Sequence, residues 1–193
     1  MKCLIVLAHP LKGSLCDYLA NKTASHLTSK GYEITLLNLY EDKFAPALTS
    51  EERLSYYQAQ FNDHLVQAEI MQLKQAESLV LVFPTWWFGF PAILKGWFDR
   101  VWAPGHAYNH ASDLGAITPR LDNLKEVKVI TTLGSPWWVD KLVLRQPVKR
   151  ILKIALLGAC AKKCKFQMLS FYKSENASQT RVDTFVKKIE SRY

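Results

Sequence analysis

The chain has 193 residues, of which 49% are hydrophobic and 22% charged, which predicts a single domain over residues 1–193 and excludes a wholly disordered chain. The net charge is +8, and residues 141–193 hold 13 Lys and Arg against 3 Asp and Glu, a pattern most typical of a solvated basic face. Because no nucleic-acid-binding motif, no apolar run of about 18 residues and no signal peptide is present, we expect a cytoplasmic protein with no nucleic-acid partner and no membrane insertion.

Strand and helix patterns alternate along the chain. Nearly continuous apolar runs, of which KCLIVLA at residues 2–8 is the first, are typical of strands buried on both faces. The predicted strands cover residues 2–8, 32–39, 78–83, 126–133 and 162–171. Helical spacing of apolar residues predicts helices at 14–30, 50–60, 63–77, 91–102, 142–157 and 178–192. Ser14 is the expected N-cap of the first helix.

This alternation predicts an α/β fold in which helices cover both faces of a parallel sheet. Five strands fit the flavodoxin-like, doubly wound order 2-1-3-4-5. Ligands of such sheets bind beyond the carboxyl ends of the strands, at the point where the strand order reverses. That rule selects the three loops that follow the first, third and fourth predicted strands.

The first of these loops, AHPLKGSL, leads into a helix N-terminus, whose free amides and positive dipole end suit an anionic group. Gly13 allows close backbone approach, and Ser14 adds a hydroxyl. The loop matches neither GxGxxG nor the phosphate loop of nucleotide triphosphatases. On its own it is more typical of a simple turn capped by Ser14, and His9 is more typical of a structural histidine.

The other two loops are unusually aromatic. FPTWWFGFP, at residues 83–91, places two Trp and, beyond the strand residue Phe83, two Phe where a sheet edge offers little core, so a planar ligand, a subunit interface or both would give these rings a partner. TTLGSPWWV, at residues 131–139, supplies hydroxyl and amide donors for the polar edge of a heterocycle, followed by a second pair of Trp side chains. The Thr pair is equally consistent with an ordinary strand end.

Together these segments resemble the flavodoxin-like NAD(P)H:quinone oxidoreductase family, that is, the DT-diaphorase type and its shorter bacterial relatives. The most specific match is FPTWWFGFPAILKGWFDRVW at residues 83–102. The LAHP start followed by Ser14, and the segment Ile130–Gly134, match in order and spacing. The likeness runs from Met1 to about Pro136.

The resemblance implies a bound flavin, which we expect to be FAD, with FMN as the alternative. NAD(P)H would reduce this flavin and leave, and a quinone-like acceptor would then take a hydride in the same pocket. The resemblance also implies a homodimer with a flavin at each interface. No protein nucleophile and no metal are required, because the cofactor carries the chemistry.

The resemblance also implies a role for each matching residue. The flavin phosphates would be held by His9, Gly13, Ser14, Leu15 and Cys16. The isoalloxazine ring would be held by Pro84, Thr85, Trp86, Trp87 and Phe88, and along its other edge by Thr131, Thr132, Leu133 and Gly134. Tyr108 and His110 would lie over the substrate as catalytic residues, with His110 in place of a tyrosine.

The chain departs from the mammalian members of the family at two places. Gly13 and Cys16 replace a threonine and an asparagine of the phosphate loop. The mammalian Tyr–His pair, thought to relay charge from the flavin, falls on Val139 and Arg145 without gaps. We therefore expect this relay to be absent or differently built.

Two other functions stay open. Some short relatives resemble flavin-binding regulatory partners of potassium-efflux transporters, in which the folded dimer matters more than turnover. The other function is that of a one-electron carrier like flavodoxin. Because such carriers are usually acidic, the net charge of +8 argues against that function.

Overall fold

A five-stranded, all-parallel sheet forms the centre of the protein in a computed structural model that describes residues 1–111 and 115–193. The strand order in this sheet is β2-β1-β3-β6-β7, which confirms the predicted flavodoxin-like topology, and β4 and β5 form a separate antiparallel pair. The strands of the described residues are β1 (Lys2–Leu7), β2 (Glu33–Asn38), β3 (Ser78–Pro84), β4 (Tyr108–Asn109), β5 (Thr118–Pro119), β6 (Glu126–Leu133) and β7 (Lys165–Tyr172).

Helices of very different length connect the strands. In the described residues they are α1 (Leu15–Ser29), α2 (Ser50–Ser55), α3 (Gln67–Gln75), α4 (Ala92–Val101), α5 (Pro147–Arg150), α6 (Leu157–Cys160) and α7 (Gln179–Arg192). Two π-helical turns, Val139–Val143 and Ile151–Leu156, lie before α5 and between α5 and α6. No helix of the described residues has both the length and the apolar character needed to cross a bilayer.

Three helix predictions need correction. The predicted helix 50–60 ends at Ser55, because Tyr56 begins a run of turns. The predicted helix 63–77 is shorter, from Gln67 to Gln75. The predicted helix 142–157 is wrong in its first part, because Arg145 and Gln146 adopt left-handed backbone angles (φ 55° and 52°) that separate the first π-helical turn from α5.

The sheet is buried on both faces, as its apolar strands predict. All seven residues of β3 are buried, and the side chains alternate between two hydrophobic clusters. Leu19 of α1 and Ile189 of α7 belong to the cluster on one face, whereas Leu73 of α3 and Trp97 of α4 belong to the other. Helices therefore pack on both faces of the sheet, and the hydrophobic clusters between helices and sheet fix the sheet edge and its loops.

Helix α4 is fixed by contacts inside the protein. Arg100 is buried and donates to both carboxylate oxygens of Glu52 in α2, at 2.6 to 3.0 Å. A side chain at Gly96 would meet the backbone of Pro46 at 2.1 Å, so the chain crosses α4 where only glycine leaves room. The aromatic side chains of this segment, Trp97, Phe98 and Trp102, are all buried within the protomer.

Candidate functional site

Three loops meet at the carboxyl edge of the sheet, and Thr132 contacts two of them. The backbone oxygen of Thr132 accepts a 2.9 Å hydrogen bond from the amide of Thr85, which follows β3. Its Oγ1 lies 3.5 Å from Sγ of Cys16 in α1. The first and second loops meet in turn through the rings of His9 and Trp86, whose centroids are 6.5 Å apart. The sequence-predicted loops are therefore neighbours in space.

The first loop ends as the N-terminus of α1. Ser14 is the N-cap, as predicted, and its Oγ accepts a 3.2 Å hydrogen bond from the amide of Asp17. The first-turn amides of Leu15 and Cys16 cannot be paired within the helix, which leaves them available to an anion. Gly13 takes a left-handed φ of 70°, and its amide donates to the carboxylate of Asp17 at 2.8 Å.

The thiol of Cys16 is a packing group in this structure. Burial raises the pKa of this thiol to about 11, and Thr132 lowers it by a smaller amount. The thiol therefore stays protonated at neutral pH, and a protonated, buried thiol is a poor nucleophile.

The second loop contains a tight hairpin turn. The amide of Gly89 donates to the carbonyl of Trp86 at 3.0 Å, while Trp87 and Phe88 both have left-handed backbone angles, with φ 52° and 56°. This is the geometry of a type I′ turn, for which Asn and Gly are the usual residues. Two aromatic residues in these positions store strain, and strain of this kind concentrates at ligand sites.

The third loop carries buried polar atoms that have no partner in the described part of the chain. Oγ1 of Thr131 and Oγ of Ser135 are both buried without a hydrogen bond there. Leu133, the last residue of β6, is buried, and Gly134 is exposed directly after it. A Cβ on Gly134 would lie 2.8 Å from Oε1 of Glu175, so this glycine leaves room for a carboxylate at the edge of the site.

Four Trp side chains of these loops face solvent. Trp87 is fully exposed, and Trp86, Trp137 and Trp138 are 44 to 52% exposed. By contrast, Pro84 is buried at the end of β3 and Thr85 is half-buried. The second loop is therefore packed into the protein where it leaves β3, whereas the Trp side chains at the rim of these loops are at most partly covered by other residues.

A buried acid lies behind the third loop and was missed from the sequence. Asp140 is 6% exposed and accepts a 2.7 Å hydrogen bond from Oη of Tyr172, at the end of β7. Burial, together with the bond to this carboxylate, raises the pKa of Tyr172 to about 12. The one signal in the sequence was the isolation of Asp140, because no other acidic residue follows it until Glu175.

Tyr108 and His110 belong to an aromatic cluster with Tyr57. The ring of His110 stacks on that of Tyr57 at 4.7 Å and contacts the edge of Tyr108 at 5.3 Å. Tyr108 is half-buried, which raises its pKa, and it lines an apolar cavity of about 360 Å³. Phe90, which follows the hairpin of the second loop, lines the same cavity. This cavity joins the Tyr108 region to the second loop.

The positions that correspond to the mammalian relay pair carry no similar pair. Val139 begins the first π-helical turn, and Arg145 is exposed with a left-handed backbone. The prediction that the relay is absent or differently built stays a prediction.

The fold and the loops at its switch point define a flavodoxin-like α/β protein. The family model described as flavodoxin-like fold matches residues 1–192. The chain therefore belongs to this flavodoxin-like family, as the sequence predicted.

Three comparisons describe its relatives. The chain is 34% identical to NAD(P)H dehydrogenase [quinone] 1 of Cavia porcellus over 153 residues, which are 69% of this chain and 54% of that protein. It is 36% identical to an NAD(P)H oxidoreductase of Haemophilus influenzae, over 73% of this chain and 67% of that protein. The crystal structure of Smu.1420 from Streptococcus mutans has a TM-score of 0.84 and 26% identity, covering 99% of this chain and 97% of that one.

The chain spans about half the length of the quinone dehydrogenase that it matches. The relatives therefore define the fold and family of this protein, and its activity has to be argued from its own site.

Proposed function

We propose that this protein is a flavin-dependent NAD(P)H oxidoreductase that passes a hydride to a quinone or a similar two-electron acceptor. The observation that carries the proposal is the junction at Thr132, where the loop after β6 contacts both Cys16 of α1 and Thr85 of the loop after β3. The oxidoreductase names of two relatives support the catalytic role over the regulatory role beside a transporter.

The residues at this junction suit a flavin. The unpaired amides at the start of α1 suit the phosphates, and the strained hairpin presents aromatic rings and backbone amides to a planar ring system. The buried hydroxyls of Thr131 and Ser135, which lack partners in the described residues, are donors for the polar edge of that ring. When bound, a flavin accepts a hydride from NAD(P)H and gives it to the acceptor.

Each remaining part of the site has a proposed task. Thr131, Thr132, Leu133 and Gly134 line the polar edge of the flavin, and the exposed Trp rings exclude water from its face. Tyr108 contacts the acceptor from the cavity that Phe90 also lines, and His110 contacts it from beside Tyr108. The proposed cofactor is FAD, on the basis of the likeness to the quinone oxidoreductase family, with FMN as the alternative.

The proposed assembly is a homodimer in which each chain is one domain in the cytoplasm. An apolar ridge supports the dimer, because five aliphatic side chains of the segment 142–154 are exposed, and large exposed apolar patches mark interfaces. These side chains are Leu142, Val143, Leu144, Ile151 and Ile154. A dimeric mass in sedimentation at micromolar concentration is expected, and a monomeric mass with flavin bound contradicts the dimer.

A matched pair of threonine variants tests the site. Thr132→Val removes the hydroxyl beside Cys16, whereas Thr23→Val removes an equally buried hydroxyl that donates to Leu19 inside α1. We expect the wild type to bind one flavin per chain, identified by mass spectrometry of the released cofactor, and to oxidise NAD(P)H when menadione is added. Thr132→Val should weaken flavin binding about fivefold, the usual value of one hydrogen bond, and Thr23→Val should not.

The outcome that overturns the proposal is equally direct. A correctly folded protein that binds neither FAD nor FMN after reconstitution is not a flavoenzyme. Equal flavin affinity in both threonine variants and the wild type would contradict the placement of the flavin at Thr132.

A further inference from the structure

Trp137 and Lys141 form a cation–aromatic pair on the rim of the third loop. Nζ of Lys141 lies 5.9 Å from the centroid of the Trp137 ring, and this ring is 52% exposed. Trp138, next in the chain, is 49% exposed. A large exposed indole with a cation above it offers both a stacking surface and a positive charge to a molecule that approaches from solvent.

The local backbone explains why both side chains point outward. Asp140 is buried and bonded to Tyr172, which fixes one side of the π-helical turn against the end of β7. Residues 137 and 141 are four positions apart, so they lie on one face of a helical turn, away from the buried position 140. The hydrogen bond from Tyr172 therefore anchors the turn that carries Trp137 and Lys141.

The electrostatic environment of this pair is positive. Five Lys and Arg residues and no acidic residue lie from position 141 to position 153, whereas the nearby acids are Asp140, which is buried against Tyr172, and Glu175, which lies beside Gly134. A field of one sign next to a site raises the local concentration of molecules of the opposite charge. The third loop thus combines an exposed aromatic surface with positively charged surroundings. An anionic acceptor would use both, whereas a neutral quinone would need the aromatic surface alone.

We propose that Trp137 and Lys141 form a subsite that selects acceptors that are both aromatic and anionic, such as sulfonated or carboxylated quinones. The ring of the acceptor stacks on Trp137, and its anionic group pairs with Lys141. The proposal rests on the proposed function, because it names the class of acceptor that the proposed oxidoreductase takes.

The kinetic test uses two acceptors that share a ring system but differ in charge. The flavin-loaded protein is assayed with NADPH and either 1,4-naphthoquinone-2-sulfonate or the neutral menadione. Lys141→Gln should lower kcat/KM for the sulfonate about two- to fivefold, the range of an exposed ion pair, and leave menadione unchanged. Lys141→Arg should restore the preference. Trp137→Ala should lower kcat/KM for both acceptors about three- to tenfold.

The control is another exposed lysine above an aromatic ring. Nζ of Lys22 lies 5.6 Å from the ring of Tyr18 on α1, and Lys22→Ala should alter neither acceptor. The preference for the sulfonate should also fall as salt is added, because exposed charges are screened over about 8 Å at physiological ionic strength. A preference that persists in Lys141→Gln, or equal rates for Trp137→Ala and the wild type, overturns the proposal.

A binding measurement separates this inference from the proposed function. Naphthalene-2-sulfonate and 2-naphthalenemethanol undergo no redox reaction, so calorimetry measures their affinity without turnover. The sulfonate should bind more tightly to the wild type than the alcohol does, and Lys141→Gln should remove the difference. If menadione is reduced but no difference is found, the subsite is wrong and the function stands.

Two further outcomes complete the test. If the sulfonate binds at Trp137 but no quinone is reduced, the subsite stands and the proposed function fails. If Trp137→Ala instead converts a dimer to monomers in sedimentation, Trp137 is a subunit contact and the proposal is overturned.

Discussion

Trp87 offers a separate test of the strained hairpin, because its backbone and its ring make different contributions. Its backbone is left-handed at φ 52° and its side chain is fully exposed, so a substitution loses no packing. A left-handed backbone costs an L-residue roughly 1–2 kcal/mol, and glycine avoids most of this cost. Glycine also gives the unfolded chain more conformational freedom, which lowers the free energy of unfolding by roughly 0.4–1 kcal/mol. We therefore expect Trp87→Gly to stabilise the flavin-free protein by about 0.5–1 kcal/mol.

Trp87→Ala is the matched control, because it removes the ring and keeps a Cβ in the left-handed backbone. The flavin-free Trp87→Gly variant should unfold about 1–4 °C above Trp87→Ala and the wild type in calorimetry. Both variants should bind flavin about two- to tenfold more weakly, because both lose a stacking face. If Trp87→Gly is no more stable than Trp87→Ala, the hairpin is not strained and the reasoning fails.

Three other predictions follow from single groups. Burial raises the pKa of the Cys16 thiol from 9.0 to about 11 and that of Tyr172 from 10.0 to about 12, so their contribution to stability is complete below pH 9 and is lost towards pH 12. The free energy of unfolding in urea should therefore fall over that range, and a constant value would contradict it. Tyr172→Phe should destabilise the protein by about 1–3 kcal/mol in urea, because the buried Asp140 loses its donor, and an unchanged midpoint would show that the bond contributes nothing. His110→Ala should change the rate with a soluble quinone but not the flavin content, and a variant equal to wild type in both measurements would exclude His110 from the site.

The sheet could be predicted because its strands carry their own signal. Strands buried on both faces favour nearly continuous apolar runs, and β1 and β3 have such runs. The sequence of β6, EVKVITTL, mixes apolar and polar residues, yet it is buried from Val127 onward. The alternation with helices then fixed the strand order through the handedness of the crossovers.

The helix predictions that were wrong concern segments shaped by contacts between residues far apart in the sequence. Helix α2 is short although its sequence continues with helix-forming residues, and its stability comes from the Thr49–Glu52 capping box and from Arg100, which is 48 positions away from Glu52. The predicted helix 142–157 was interrupted by left-handed residues at Arg145 and Gln146, which are neither Gly nor Asn and give no warning in the sequence.

The site was predictable as a set of loops but not in its details. Trp87 and Phe88 were recognised as aromatic, but their left-handed backbone could not be read from residues that rarely adopt it. The bond between Asp140 and Tyr172 joins positions 32 apart, beyond any local pattern. Part of the most specific sequence match is structural, because Gly96 and Arg100 in it make contacts in the core.

The central claim is that a flavin at the Thr132 junction exchanges hydride between NAD(P)H and an acceptor. An anaerobic titration of the flavin-loaded protein tests this claim most directly. One equivalent of NADPH or NADH per flavin should bleach the visible flavin absorbance, and one equivalent of menadione should restore it. A flavin that stays oxidised with both nicotinamides, or that is bleached but not reoxidised by any quinone, would contradict the account.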